Sequence, residues 1–323
     1  MYSLLHSRSV QRHLFVLIVG LLSLPISISS QEPTSPPQVG SRKIVSDDFT
    51  NNRQQSNETA RPNAQGGILS NTAPRPKSRR TYRLASTTSK AKPSREEGTK
   101  AAQLGVTIWR LRPVRASETG ARMLLREKGK SLEWIPERVE SDTIFREGDQ
   151  LRLSIESPRA GYLYVVDQDL LSDGTTGPAM LIYPWADMLG SDNKMRPGKL
   201  VDIPAQEEEP SYFTARRSTP NQVGEVLTVI ITTSPLNLPI SNEPIRISAA
   251  DLEKWVNLWG GPSERFEMEG GAGEVWTKQE QQASARKGTR QLTREDPAPQ
   301  TIYRIFASDN KALLVNVRLR YGK

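Results

Sequence analysis

The chain has 323 residues, no cysteine and two histidines, and carries a formal net charge of +8 at pH 7. Both histidines, His6 and His13, lie ahead of Leu14. Beyond them no imidazole or thiol remains, which excludes Ser-His and Cys-His nucleophilic arrangements, His/Cys zinc sites and a disulfide framework.

Arg8 and Arg12 precede an uncharged apolar run from Leu14 to Leu22, followed by Pro25 and the small residues Ser27, Ser29 and Ser30. This is the pattern of a cleavable secretory signal peptide. Residues 1–30 are therefore expected to be removed, with the cut after Ser29 or Ser30. The apolar run is shorter than the roughly 18–20 residues that span a bilayer as a helix, so no transmembrane anchor is expected after cleavage. The expected location is secreted or periplasmic.

Residues 31–100 are rich in Ser, Thr, Pro, Asn, Gln and Arg, a composition that buries too little apolar area to offset chain entropy. They are expected to form a disordered basic linker, with the tract Arg75-Pro76-Lys77-Ser78-Arg79-Arg80 as part of a solvated tether. The net charge divides into +2 over residues 1–30, +7 over 31–100 and −1 over the remainder. A nucleic-acid-binding fold carries its positive charge on its own surface, so no nucleic-acid partner is expected.

From Leu104 onward, short alternating runs bounded by turn residues predict strands. The first is Leu104 to Leu111. Met123 to Arg126 and Leu132 to Ile135 flank a hairpin at Lys128-Gly129-Lys130. Leu151, Leu153 and Ile155 alternate after the Gly148-Asp149 turn, and Tyr162 to Val166 reads as a central strand. Met180 to Tyr183, Val226 to Ile231, Ile302 to Phe306 and Leu313 to Val317 complete the set. Two short helices interrupt them. One is capped by Ser248, has Leu252, Trp255, Val256 and Trp259 on one face, and stops at Gly260-Gly261-Pro262. The other opens on the capping box of Thr277 and Glu280 and runs to about Arg286. The fold class is mainly β: an antiparallel, sandwich-like domain over residues 101–323.

Six stretches of this region resemble a bacterial family catalogued as domain of unknown function 4384. They are Phe145-Arg146-Glu147-Gly148-Asp149-Gln150-Leu151-Arg152-Leu153, Gly161 to Asp167, Leu181-Ile182-Tyr183-Pro184, Gln222 to Val229, Phe266 to Gly273, and Asp296 to Arg304. The resemblance covers most of 101–323. It implies a β-rich domain and an exported or envelope-associated setting, and carries over no catalytic residue or cofactor.

Asp167, Asp169 and Asp173 place three carboxylates at a strand end and loop, in a spacing that departs from a calcium-binding EF-hand: the third acid is displaced and Pro178 stands at the twelfth position. A solvated turn is the default reading, and no metal or cofactor is expected. Carboxylate chemistry is the remaining enzymatic option, with Asp167, Asp169, Asp187, Glu225 and Glu274 as candidates; nothing in their spacing pairs any two. Ser191-Asp192-Asn193-Lys194 and Gly270-Gly271-Ala272-Gly273 read as turns. Among the tryptophans, Trp185 is the one expected to be most exposed. The candidate binding residues are thus Asp167, Asp169, Asp173 and Trp185. The sequence predicts an exported, non-enzymatic module that binds a protein or cell-wall partner. The alternative is a carboxylate-dependent hydrolase acting on envelope polysaccharide.

Overall fold

The structure is a computed structural model that describes residues 40–54, 80–88, 101–115, 121–127, 130–184, 193–239, 244–285, 290–306 and 312–322. The expected signal peptide lies outside the described residues. In chain order the elements begin with α1 (Gly40–Thr50), β1 (Tyr82–Thr87), β2 (Ala102–Pro113), β3 (Met123–Glu127), β4 (Lys130–Val139), β5 (Ile144–Phe145), β6 (Gln150–Glu156), β7 (Gly161–Leu171) and β8 (Ala179–Tyr183). They continue with β9 (Lys194–Met195), β10 (Leu200–Ile203), β11 (Phe213–Thr214), β12 (Gln222–Thr232), β13 (Ile245–Ile247), α2 (Ala249–Trp259), β14 (Ser263–Met268), α3 (Lys278–Ser284), β15 (Thr301–Ile305) and β16 (Leu313–Tyr321). Among the described residues, no helix is long and apolar enough to cross a membrane.

The strands form two sheets. The first runs β1-β14-β15-β2-β4-β3, with β6 on the other side of β2 and β10 and β11 beyond it. The second runs β13-β8-β7-β12-β16-β5, with β9 beside β7. Among the described residues, all strand pairs are antiparallel except β16 with β5. Period-two alternation sends Leu104, Val106 and Ile108 of β2 and Leu151, Leu153 and Ile155 of β6 to one face. There they meet Leu163 and Val165 of β7, Leu227, Val229 and Ile231 of β12, and Leu313, Val315 and Val317 of β16 in a single core. The expected β-sandwich follows from this shared layer.

Both predicted helices form where their caps place them. The Ser248 side chain accepts the N–H of Asp251, and the Thr277–Glu280 capping box is complete. Leu252 and Trp255 are buried, but Val256 is exposed, so the apolar face is narrower than expected.

The second sheet holds one face on the core and packs Tyr164, Val166 and Ile230 against α2 on the other. The first sheet is also covered on its outer side. On β2 the outward residues Gln103, Thr107, Trp109 and Leu111 are as buried as the inward ones. Part of that cover comes from the stretch expected to be a linker. Residues 40–54 and 80–88 are elements of the domain, which corrects the reading of 31–100 as wholly disordered. Val45 and Phe49 stand one helical turn apart on α1 and bury with Tyr82, Phe266, Met268 and Ile302. Each such side chain contributes about 1.5–3 kcal/mol. β1 adds itself to the sheet edge along β14. Averaged composition hides a pair of apolar residues at i, i+4 and a single short strand.

Past α1, Arg53 donates from Nε and Nη2 to the Glu156 carboxylate at 2.7 and 2.5 Å. It also donates to the carbonyls of Thr293, Asp296 and Pro297. Both side chains of the ion pair are 1–2% exposed. Removing one partner strands a buried charge, whereas replacing both by apolar groups does not. Arg53→Ala is expected to cost about 3–5 kcal/mol in urea unfolding, and Arg53→Met combined with Glu156→Leu to recover most of that loss. A chain starting at residue 101 is expected to unfold at lower urea than one starting at residue 40.

Candidate functional site

The inward rows of the second sheet change character at one end. On β7 the alternation runs Leu163, Val165, Asp167, Asp169; on β12 it runs back through Ile231, Val229 and Leu227 to Glu225. On β16 it runs from Leu313 to Leu319 and ends at Tyr321. Because β12 is antiparallel to both neighbours, these polar ends coincide. Glu225 lies directly opposite Asp169 on one side and Leu319 on the other. Directly opposed residues have Cβ atoms roughly 4.5–5.5 Å apart, and like charges there repel.

Each acid has a different environment. Tyr321 donates its hydroxyl to Glu225 Oε1 at 2.5 Å. Asp169 accepts from Ser218 Oγ at 2.6 Å and from Gln222 Nε2 at 2.8 Å. Asp167 Oδ1 is buried without a hydrogen-bond partner. A bulge between Gln222 and Gly224 swings the Gln222 amide onto Asp169. It also presses residue 224 against β16, where a Cβ would stand 2.0 Å from the Leu319 carbonyl oxygen, so only glycine fits.

Burial, followed by the charges of Glu225 and Asp169, pushes the Asp167 carboxyl up to about 8. Burial also raises Glu225, against the lowering effect of the Tyr321 hydrogen bond. The Tyr321 hydroxyl is driven above its ordinary range by burial and by the Glu225 charge. At neutral pH the cluster therefore holds a proton on Asp167 beside ionisable neighbours, an arrangement suited to moving protons.

Of the acids singled out in the sequence, Asp167, Asp169 and Glu225 are brought together. Asp173 is not among them. It sits exposed in the β7–β8 turn, where Gly174 adopts φ 85°. There its Oδ1 accepts the Thr175 N–H at 2.9 Å and hydroxyl at 2.7 Å, which hold its carboxyl below the usual range. Glu274 pairs with Arg80, and Trp185 and Asp187 lie outside the described residues. Trp109 and Trp276 pack against each other in the interior, and Trp255 stacks on Trp259. No group of three or more His, Cys, Asp or Glu side chains among the described residues could hold a metal ion.

The same end of the sandwich carries a cleft of about 560 Å³ lined by Arg110, Arg112, Trp134, Ile144, Arg146 and Asp149, among others. β5 links it to the acids, since Ile144 and Phe145 pair with Arg320 and Tyr321. None of Asp167, Asp169 or Glu225 lines it. Arg110 and Arg112 occupy the inward row of β2 beyond Ile108, where the apolar alternation breaks. Both face one carboxylate: Arg112 Nε donates to Glu137 Oε2 at 2.5 Å, and Arg110 Nη2 stands 3.7 Å from Glu137 Oε1. Asp149 Oδ2 accepts the backbone N–H of Arg146. The sequence reading missed this cleft. Its one local signal was the replacement of apolar residues by arginines in the inward row of β2.

No protein-family model matches the chain, and no curated protein and no solved structure matches it.

The raised Asp167 group makes stability pH-dependent in a defined direction. The folded chain keeps this proton to about pH 8, and the unfolded chain only to 3.8. The contribution is fully present below pH 3.8 and is lost as the pH rises through about 8. Asp167→Asn removes this dependence. Urea unfolding between pH 4 and pH 8 is expected to show a shallower fall in stability for the variant than for the parent.

Proposed function

We propose that the chain is an exported, non-catalytic interaction module of a bacterial envelope, engaging a protein or cell-wall partner at the open end of the sandwich. The observation that carries this reading is the cleft lined by Arg110, Arg112, Trp134, Ile144 and Arg146. Arginine is enriched at recognition surfaces, and Ile144 is 63% exposed at the rim. Export is supported by the signal-peptide pattern of residues 1–30. The resemblance to domain of unknown function 4384 supports the setting. Three of the stretches that carry it have residues at this end: Phe145 to Asp149, Asp167, and Glu225.

A second reading, carboxylate-dependent hydrolysis of envelope polysaccharide, is favoured by one observation: Asp169 stands opposite Glu225, with Asp167 beside them. Glycosidases place two carboxyl groups about 5–10 Å apart across the bond they cleave. Against it, the acids do not line the large cleft.

Two measurements separate the readings. The parent chain is expected to sediment with purified envelope sacculi, and Ile144→Asp to weaken that binding while leaving the thermal midpoint in place. Release of reducing ends from the same sacculi is expected to stay at the blank level for the parent, Asp167→Asn and Glu225→Gln alike. Turnover by the parent that disappears in either variant would replace the binding reading with the hydrolase.

A further inference from the structure

We infer that Met123 is a methionine-oxidation site: a peroxide converts its thioether to the sulfoxide, and the Arg152 guanidinium holds the new oxygen inside the fold. The site stands on the outer side of the first sheet and is independent of the cleft.

Buried donors without good acceptors gather around the Met123 sulfur. Arg152 donates from Nη2 to Asp202 Oδ2 at 2.9 Å and to the Pro204 carbonyl at 3.2 Å. Its Nη1 is turned to Met123 Sδ, 2.7 Å away. A thioether is a weak acceptor, so this cationic N–H gains little there. Arg152 Nε and Trp276 Nε1 are buried with no hydrogen-bond partner among the described residues. Trp276 clusters with Met123, and Arg152 lies over the Trp276 ring, 5.2 Å from its centroid. Both side chains belong to residues only 1% exposed, and a buried N–H without an acceptor is destabilising. Oxidation turns the apolar sulfur into a polar S–O group, a change that disrupts an ordinary core. Here the new oxygen forms beside a guanidinium that already points at the sulfur.

The reaction balances with hydrogen peroxide as oxidant. A sulfur lone pair attacks one peroxide oxygen, so the S–O bond forms as the O–O bond breaks. The departing hydroxide takes the proton from the new S–OH group and leaves as water. Sulfur loses two electrons and the peroxide gains them. The hydrogen bond from Nη1 occupies one sulfur lone pair and leaves the other for attack. A fixed cation at this position stabilises the hydroxide as its charge develops.

Access comes from the sheet edge. Met123 is 6% exposed, yet β3 ends the first sheet and is paired with β4 alone among the described residues. A strand held on one side opens locally more readily than one held on both. With no cysteine in the chain, its thioethers are the readily oxidised sulfurs.

The test exposes the full chain to hydrogen peroxide and follows each methionine sulfoxide by peptide mass mapping. Met195 and Met268, each 2% exposed, are the buried comparators. Met123 is expected to oxidise about tenfold or more faster than either, the value of one charged hydrogen bond in the transition state. In denaturing urea the three rates are expected to converge. The chain oxidised at Met123 alone, isolated at low conversion, is expected to melt no lower than the parent. Met123→Gln sets a carboxamide oxygen beside Arg152, and is expected to melt no lower than Met123→Leu, which offers no acceptor. Oxidation of Met123 no faster than that of Met195 and Met268, or a rate advantage that persists in urea, would overturn the inference. So would a Met123 sulfoxide that melts below the parent, or Met123→Gln melting below Met123→Leu.

Discussion

Arg53, Arg138 and Arg152 are withdrawn from solvent on the outer side of the first sheet, each against its own carboxylate, with side-chain exposures between 1% and 4%. Alternation on β6 creates the problem: Leu151, Leu153 and Ile155 face the core, so Arg152, Ser154 and Glu156 must face the other way. A buried ion without its partner costs several kcal/mol. The chain meets that requirement with parts drawn from distant places. Asp202 comes from β10, Glu280 from α3, Arg138 from β4 and Arg53 from the segment after α1. The indole of Trp109 donates to Ser154 Oγ at 2.7 Å, and Ser154 donates to Asp202 at 2.5 Å. Arg138 and Arg152 lie over Trp109 and Trp276, each 5.2 Å from the ring centroid. Cover over this face is a condition of the fold, which is why residues well ahead of β2 belong to the domain.

The open end solves the same electrostatic difficulty by other means. Asp167, Asp169 and Glu225 have no arginine among them; a retained proton, a tyrosine hydroxyl and a glutamine amide take the place of a cation. Across the sandwich, Arg110 and Arg112 crowd a single glutamate. Opposite charges have thus been sorted onto different walls of one end. Such sorting makes one wall protonic and the other cationic.

How much of this was legible in the sequence depends on the range of the interaction. The alternation of Leu104 to Leu111 and of Val226 to Ile231 is a local pattern, and both became strands. Ser248 and the Thr277–Glu280 pair are likewise local, and both helices start there. Two-residue strands such as β5, β9 and β11 are too short to display a period. β1 exists because β14, far along the chain, offers it an edge. Asp167 and Asp169 could be seen as neighbours on one strand face. Their meeting with Glu225 is a fact of register, and register is set by the whole sheet and by the bulge at Gly224. The arginine cleft was hidden in the same way, since Arg110 and Arg146 meet only when β2 and the turn after β5 are set side by side.

The guanidinium of Arg53 binds the carbonyls of Thr293, Asp296 and Pro297, some 240 residues downstream. While the polypeptide is being made or threaded, its earliest described element can meet Tyr82 and Glu156 early, but these carbonyl partners only when that late loop emerges. Closure over such a span is slow, so the final locking step belongs to the finished chain. A truncated product, or one stalled before residue 290, would keep the charged outer face open to water and to quality-control proteases.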